Sequence, residues 1–405
     1  FKARLVACGN EQEHGINYED TFAPVLDLAT ARLVLALSVL WKQPARHGDI
    51  PAAYTRAALE SQSDIYMYPP HGMRLTEEER LAGGEVPVLK LQRSLYGLKQ
   101  AGRLWNCLLH EELISLGYSL CVTDLCLYWK RSSEGTSIVG VYVDDLLATA
   151  TSGQLIDNLF KKLKSLEVKD LGIVEKFLGM RVKFSLDSFT LDQETLIQEY
   201  LKTNDMAKAA PVTTPACLST VPDQEELLSS TDTKSFRTLA GGLLWLARCT
   251  RPDIAFAVHQ LTRRTHSPRT TDQALGKRIL RYLAGTASTK LVSKQEDLNG
   301  YALSAFTDAD YATNSDRKSI SACTVHLNGM LVHWYCTKQS NISLSTMESE
   351  FVAAARGVQE LLGCYELLKE IGCPLALPMT IKMDNQAAIA QVTSEASSQR
   401  SKHID

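Results

Sequence analysis

The stretch Ile138-Val139-Gly140-Val141-Tyr142-Val143-Asp144-Asp145-Leu146-Leu147-Ala148-Thr149-Ala150 decides how the chain is read. Val139, Val141 and Val143 alternate with Ile138, Gly140 and Tyr142, and β-branched and aromatic residues in that rhythm predict a strand. Leu146–Ala150 is apolar again and reads as a returning partner strand. Asp144 and Asp145 then fall at or beside the hairpin turn, where Asp is tolerated. Two adjacent carboxylates at the end of buried strands repel each other, so they either turn outward into water or take a compensating cation. A pair of Mg²⁺ ions roughly 3.5–4 Å apart, clamping the attacking and leaving oxygens of a phosphoryl transfer, supplies such charge. The dipeptide alone reads first as a solvated turn; its place in the tetrad Tyr142-Val143-Asp144-Asp145 between two apolar runs brings the two readings level, so the choice rests on the remaining chain.

The 405 residues are 45% hydrophobic and 22% charged, which is ordinary for a globular protein and long enough for two or three domains. No apolar run reaches the roughly 18 residues of a membrane span. The net charge of −3 does not advertise a nucleic-acid binder. Local basic clusters (Lys161, Lys162 and Lys164; Arg263 and Arg264; Lys277, Arg278 and Arg281) read first as solvated helix faces. Ten cysteines without a C-x-x-C pair argue against a zinc site or disulfide framework and fit a reducing compartment. Phe1 is not an initiator Met and no apolar leader follows, so we expect a piece of a longer polyprotein.

Lys2–Ala7 reads as a short strand with a basic edge. Such an edge suits a triphosphate, or simply protects a sheet. Leu28–Trp41 is a helix, apolar nearly all round and hence buried. Asp49 ends a short strand, with Tyr54 five residues on; a lone Asp there is usually structural, but a two-metal centre needs a third carboxylate from another strand. Ser94–Ala101 carries Gly97, which lets backbone approach a ligand, beside Lys99. Further on, Leu155–Leu166 and Phe236–Ala247 read as helices. Val325–Leu327 and Leu331–Trp334 form a hairpin about Asn328-Gly329. Ser345–Leu368 is a helix whose inward face carries Met347, Phe351, Ala354, Val358, Leu361 and Tyr365, with Gly372 just past its end.

Ordered along the chain, FKARLVACG, YEDTFAPV, HGDIPAAY, IYMYPP, SLYGLKQAGRLW, YVDDLL, KDLGIVEKFLGM, TRPDIAFAV, KRILRYLAGT, TDADYA, DRKSISA, LSTMESEF, KMDNQAAI and SKHID resemble the reverse transcriptase and ribonuclease H of copia-type LTR retrotransposons. The resemblance covers essentially the whole chain. It implies a mixed fold, α+β and α/β. Right-hand polymerase fingers and palm would occupy 1–150, a thumb-like connection 151–295, and a C-terminally truncated ribonuclease H-like domain 296–405.

By that resemblance Asp49, Asp144 and Asp145 are palm carboxylates holding two Mg²⁺ ions, with Mn²⁺ able to substitute. Tyr54 is an aromatic gate beneath the sugar. Lys2 and Arg4 lie near the triphosphate, and Tyr96, Gly97 and Lys99 face the incoming nucleotide and template. Pro51 and Cys8 stand where the family usually has Lys, and Gly102 where it has Pro; none is a metal ligand. The later segment is similar to a ribonuclease H fold, in which Asp308, Glu348 and Asp384, with Asp405 as a fourth, would hold two further Mg²⁺ ions. Glu348 has a competing reading, because Ser345-Thr346-Met347-Glu348 is a capping box. His403 is a candidate proton carrier or a plain surface histidine.

The implied partners are an RNA template, a DNA primer, deoxynucleoside triphosphates, an RNA–DNA hybrid and the integrase, protease and capsid segments of the polyprotein. No membrane partner is implied. The implied location is a cytoplasmic virus-like particle, or the nucleus. The rival expectation is a truncated, inactive relic that only binds nucleic acid or partner chains.

Overall fold

The computed structural model describes residues 3–60, 64–74, 76, 87–216, 226–298, 300–313 and 316–393. The fold is mixed α and β. It divides into two compact units, one of Phe1–Asp27 with Ala45–Ile173 and one of Leu28–Pro44 with Val174–Asp405.

The first unit is built on a six-stranded sheet. Its strands are β1 (Arg46–Asp49), β4 (Ser119–Leu120), β5 (Leu127–Ser132), β6 (Gly135–Tyr142), β7 (Asp145–Ala150) and β8 (Lys169–Ile173), in the order β4-β5-β6-β7-β1-β8 and antiparallel throughout. A separate ribbon pairs β2 (Tyr66–Met67) with β3 (Leu89–Lys90). The sheet does not stop at residue 150; helix Gly153–Lys162, the short 3₁₀ turn Leu163–Leu166 and β8 belong to this unit.

Alternation explains the core. Val139 and Val141 on β6, paired with Ala148 and Leu146 on β7, pack with Trp105, Leu109 and Leu113 of helix Ala101–Ser115 and with Ile156, Leu159 and Phe160 of helix Gly153–Lys162. The opposite face of the hairpin is also closed, since Ile138 and Leu147 are buried and Leu26 lies against Gly140. A strand buried on both faces reads as a continuous apolar run, as Ile138–Tyr142 does. Residues 3–8 form no strand; the Ala7 N–H donates to Tyr96 O at 2.8 Å and its carbonyl accepts from the Gly9 N–H at 3.0 Å.

The second unit carries two sheets. One runs β12-β11-β10-β9, from β9 (Lys176–Phe177), β10 (Met180–Phe184), β11 (Ser188–Asp192) and β12 (Leu291–Lys294). The other runs β15-β14-β13-β16, from β13 (Leu303–Asp310), β14 (Ile320–Leu327), β15 (Met330–Lys338) and β16 (Thr380–Lys382), with β16 parallel to β13 and the rest antiparallel. Helices Glu194–Thr203, Ser230–Cys249, Ala255–Thr262 and Thr270–Gly285 share one apolar core. Helix Thr346–Ile371 lies on β13 and β14, and helix Leu28–Leu40 on β15 and β11. The latter buries Arg32, whose Nε donates to Val332 O at 2.7 Å and Nη1 to Arg248 O at 2.9 Å, with the guanidinium 3.9 Å from the Trp334 ring.

The inward face of the long helix keeps Ala354 and Leu361 of the expected stripe but is turned away from Val358. Glu350, Ala353, Ala354, Gly357, Leu361, Cys364 and Leu368 are buried, while Val358 is exposed. One residue is about 100° around a helix, so a shift of one position turns the face. Gly357 explains the choice, because a Cβ there would meet Thr307 Cγ2 at 2.3 Å: the helix lies on β13 through its least bulky position.

Candidate active sites

In the first unit, β6 and β7 join through the two-residue turn Val143-Asp144, closed by the pair Tyr142↔Asp145. Val143 adopts φ 57°, a left-handed conformation uncommon for a β-branched residue. The turn is pinned on both sides: Trp105 Nε1 donates to Val143 O at 2.7 Å and the Ile50 N–H to Asp144 O at 3.0 Å. β1 lies beside β7 with Asp49 opposite Asp145. Three carboxylates from two strands and one turn are thereby gathered.

The charge they share is visible at Asp144. Burial, with the charges of Asp145 and Asp49 adding to it, raises its carboxyl above the usual range, and Arg4 opposes the rise. Alternation puts His47 on the face of β1 that carries Asp49, and His47 Nε2 bonds Asp145 Oδ1 at 2.8 Å. Arg46 and Gly48 point the other way, toward Phe160 and the ion-pair partners Asp157 and Asp170.

Tyr54 follows in a short 3₁₀ turn, Ala53–Arg56. Its ring lies 5.0 Å from that of Tyr96, and burial together with the Asp144 charge raises its hydroxyl pKa. The Arg4 guanidinium stands 5.3 Å from the Tyr96 ring. Gly97 has φ 94°, and a Cβ there would meet Ala7 O at 2.1 Å. Its glycine character therefore serves contact between segments of the chain. Lys99 Nζ donates to Gln12 O and Tyr18 OH, each at 3.1 Å. The structure thus brings Arg4, Tyr54 and Tyr96 toward the carboxylates and holds the Lys99 ammonium in the 12–18 loop. Lys2 lies outside the described residues.

In the second unit, β13 and β16 run parallel with Phe306 beside Lys382. Two residues further along each chain come Asp308 and Asp384. Glu350 enters from the helix above, and carboxylate oxygens of all three lie within 4.8 Å of one another. Burial first, then the charges of Asp308 and Asp384, push the Glu350 carboxyl up to about 7. Its Oε2 is buried without a hydrogen-bond partner, which is costly unless a proton or cation compensates it.

Here Glu348 is corrected. Its Oε2 accepts from the Leu344 N–H at 2.6 Å, and its own N–H donates to Ser345 Oγ at 3.2 Å. The start of the helix engages that carboxylate outside the trio, through the N–H one residue before the Ser345 N-cap, and Glu350, just over half a turn further on, faces the sheet instead. The available signal was the buried stripe Glu350, Ala353, Gly357, Leu361, on which Glu350 is the acidic member. Asp405 and His403 lie outside the described residues.

Both donor sets consist of carboxylate oxygens, which suit Mg²⁺ or Mn²⁺. Among the described residues no helix is long and apolar enough to cross a membrane.

The family described as reverse transcriptase (RNA-dependent DNA polymerase) matches residues 1–218. The chain is similar over its whole length to the Retrovirus-related Pol polyproteins from transposon RE1 of Arabidopsis thaliana, at 34% identity, and from transposon TNT 1-94 of Nicotiana tabacum, at 33%. It spans 27% and 30% of those two proteins. It is also 31% identical, over 68% of its length, to a putative transposon Ty5-1 protein of Saccharomyces cerevisiae, of which that match covers 90%.

Proposed function

The chain belongs to the reverse transcriptase (RNA-dependent DNA polymerase) family, and from that premise we propose that it copies RNA into DNA and hydrolyses the RNA strand of the resulting hybrid, as part of a copia-type Pol polyprotein. The observation that carries the polymerase reading is the register setting Asp49 opposite Asp145 with Asp144 in the pinned turn beside them. Asp49, Asp144 and Asp145 would hold two Mg²⁺ ions, or Mn²⁺. When bound, these supply positive charge to the primer 3′-hydroxyl and to the leaving pyrophosphate. The chain's own contribution is placement. Trp105 and Ile50 fix the turn that presents Asp144. Tyr54, leaning on Tyr96, offers a flat wall for the sugar and excludes a 2′-hydroxyl. Arg4, and Lys2 near it in sequence, supply cations for the triphosphate. Gly97 and Lys99 belong to the segment nearest the nucleotide and template.

The second activity rests on a separate observation, the convergence of Asp308, Glu350 and Asp384. These three would hold a further pair of Mg²⁺ ions, which would supply charge to a water attacking the RNA strand. Asp405 is the proposed fourth ligand. In this reading the fingers and palm of 1–150 extend to Ile173, where their sheet ends, the thumb-like connection follows to 295 and the ribonuclease H-like domain is 296–405. The partners are RNA template, DNA primer, deoxynucleoside triphosphates and hybrid, with integrase, protease and capsid segments of the polyprotein. The location is a virus-like particle in the cytoplasm, or the nucleus.

Extension of a DNA primer on an RNA template, with Mg²⁺ and deoxynucleotides, tests the first half. Incorporation by the parent chain that disappears in Asp144→Asn supports it. Extension that survives Asp144→Asn refutes it. A folded parent chain that binds Mg²⁺ and incorporates nothing is the relic.

A further inference from the structure

We propose that His47 is a positioning residue for metal binding at the first site, holding the Asp145 carboxylate where a cation shared with Asp49 can reach it. The proposal rests on the polymerase reading of Asp49, Asp144 and Asp145 given above.

Asp49 pairs with Asp145 and His47 with Leu147, so His47 and Asp145 are diagonal neighbours on one face of two antiparallel strands. Diagonal neighbours are roughly 7–8 Å apart at Cα, a gap that only a long or aromatic side chain closes. The His47 imidazole closes it, with Nε2 2.8 Å from Asp145 Oδ1.

Electrostatics supplies the need. Asp144 and Asp145 are consecutive, Asp49 stands across the ladder, and their mutual repulsion is registered at Asp144. Before a cation arrives, a partly exposed carboxylate is free to swing toward water. Asp145 is 33% exposed, whereas the His47 side chain is only 16% exposed and fixed on a short strand. A hydrogen bond from that strand keeps Asp145 over β1 and leaves Oδ2 for a ligand. Carboxylates that bind metals are commonly held this way by a neighbouring donor, and loss of that donor typically costs about 10–100-fold in metal affinity. Packing is assigned elsewhere: Arg46 and Gly48, on the reverse face, meet Phe160, so His47 is not the residue that seats β1 on its helix.

The test is Mn²⁺ binding by the whole 405-residue chain, followed through the electron paramagnetic resonance signal of the free ion. A Glu350→Gln background removes the competing site of the second unit, and Asp49→Asn defines the binding that belongs to the first. We expect His47→Leu to weaken the Asp49-dependent binding about 10–100-fold. His47→Asn, too short to span the diagonal, behaves as Leu does, and His47→Gln, whose amide reaches, retains affinity. In primer extension Leu and Asn lower kcat and raise the Mg²⁺ requirement, with the KM for template–primer unchanged and rescue by Gln. Should the Leu variant not fold, the Asn and Gln pair decides. Mn²⁺ affinity in Leu or Asn equal to the parent's overturns the proposal and leaves the polymerase reading standing. A folded parent without Asp49-dependent binding overturns both.

Discussion

At the scale of single residues, the two glutamates of Ser345-Thr346-Met347-Glu348-Ser349-Glu350 separate chemistry from capping. Glu348 accepts a backbone N–H before the helix; Glu350 sits buried with Oε2 unpartnered among Asp308 and Asp384. Glu350→Gln should therefore abolish hybrid cleavage. Glu348→Gln should retain it and cost about 1 kcal/mol or less, as for other weakened caps. A hybrid-cleavage assay on the two variants, with thermal unfolding alongside, checks this; the reverse pattern would reinstate Glu348. Glu350 also predicts a pH dependence. Its carboxyl ionises at about 7 in the fold against 4.5 ordinarily, through burial and through Asp308 and Asp384, opposed by the Ala309 backbone. A carboxyl raised by folding favours the fold while protonated, so this contribution is complete below about 4.5 and is lost as pH rises through about 7. In chelator, the stability of Glu350→Gln relative to the parent should rise across that window and level off above it, and Mg²⁺ should shrink the difference. Denaturant unfolding of the pair from pH 4 to 8 measures it. The residues that stayed hidden in the sequence, His47 and Glu350, owe their place to a diagonal across strands and to a helix face, and neither is encoded in a local motif. Asp144 and Asp145 stood out because they fall between two apolar runs, whereas Asp49, behind Arg46-His47-Gly48, was marked by the family resemblance alone.

At the scale of elements, what could be read was what local chemistry decides. Asn328 and Gly329 adopt φ 46° and 77° in the β14–β15 turn, as the Asn-Gly pair demands. Gly372 caps the long helix at φ 86°. The basic strand expected over residues 2–7 fails over its described part, because a strand needs a partner along its length and this segment has one backbone bond to Tyr96. Tertiary closeness also sets the demand for glycine at position 48, which no pattern of hydrophobicity reveals. A Cβ there would stand 2.7 Å from Phe160 Cε1 and 3.2 Å from Leu146 Cβ. Phe160 is itself clasped by the Arg46 guanidinium, 5.0 Å from its ring. Gly48→Ala should therefore push β1, and Asp49 with it, off helix Gly153–Lys162. The expected loss is about 1–3 kcal/mol, the usual range for overpacking. Phe160→Leu in the same chain should recover part of it, because the smaller side chain vacates the space the methyl needs. A double-mutant cycle by denaturant unfolding gives the coupling, and simple additivity would refute the packing account.

At the scale of the whole molecule, the sequence order of the elements hides how they are grouped. Helix Leu28–Leu40 lies between segments of the first unit in the chain, yet it packs within the second, on β15 and β11. Its all-round apolar composition announced burial but not the partner, because such a helix fits any apolar surface. Arg32 shows how specific the partner is. It is buried on this helix, its guanidinium bonds to the carbonyls of Val332 and Arg248 and lies over Trp334, and Trp334 Nε1 in turn donates to Ala247 O at 2.9 Å. This has a consequence for dissecting the protein. A fragment ending at Ile173, which keeps every strand of the first sheet, loses β11, β15 and the helix that offers Arg248. Leu33, Leu35, Leu37 and Val39 would lose the second unit's cover, each worth about 1.5–3 kcal/mol when buried, and Arg32 would lose the carbonyls and the indole that receive its charge. The margin of a typical fold is only about 5–15 kcal/mol, so such a fragment should aggregate or remain partly unfolded although its own sheet is complete. Replacing Leu33, Leu35 and Leu37 with Gln in that fragment should restore solubility, whereas the same substitutions in the intact chain should destabilise it. Expression and size-exclusion chromatography of the four proteins check this; a soluble, cooperatively folded 1–173 fragment would show that the helix does not depend on the second unit.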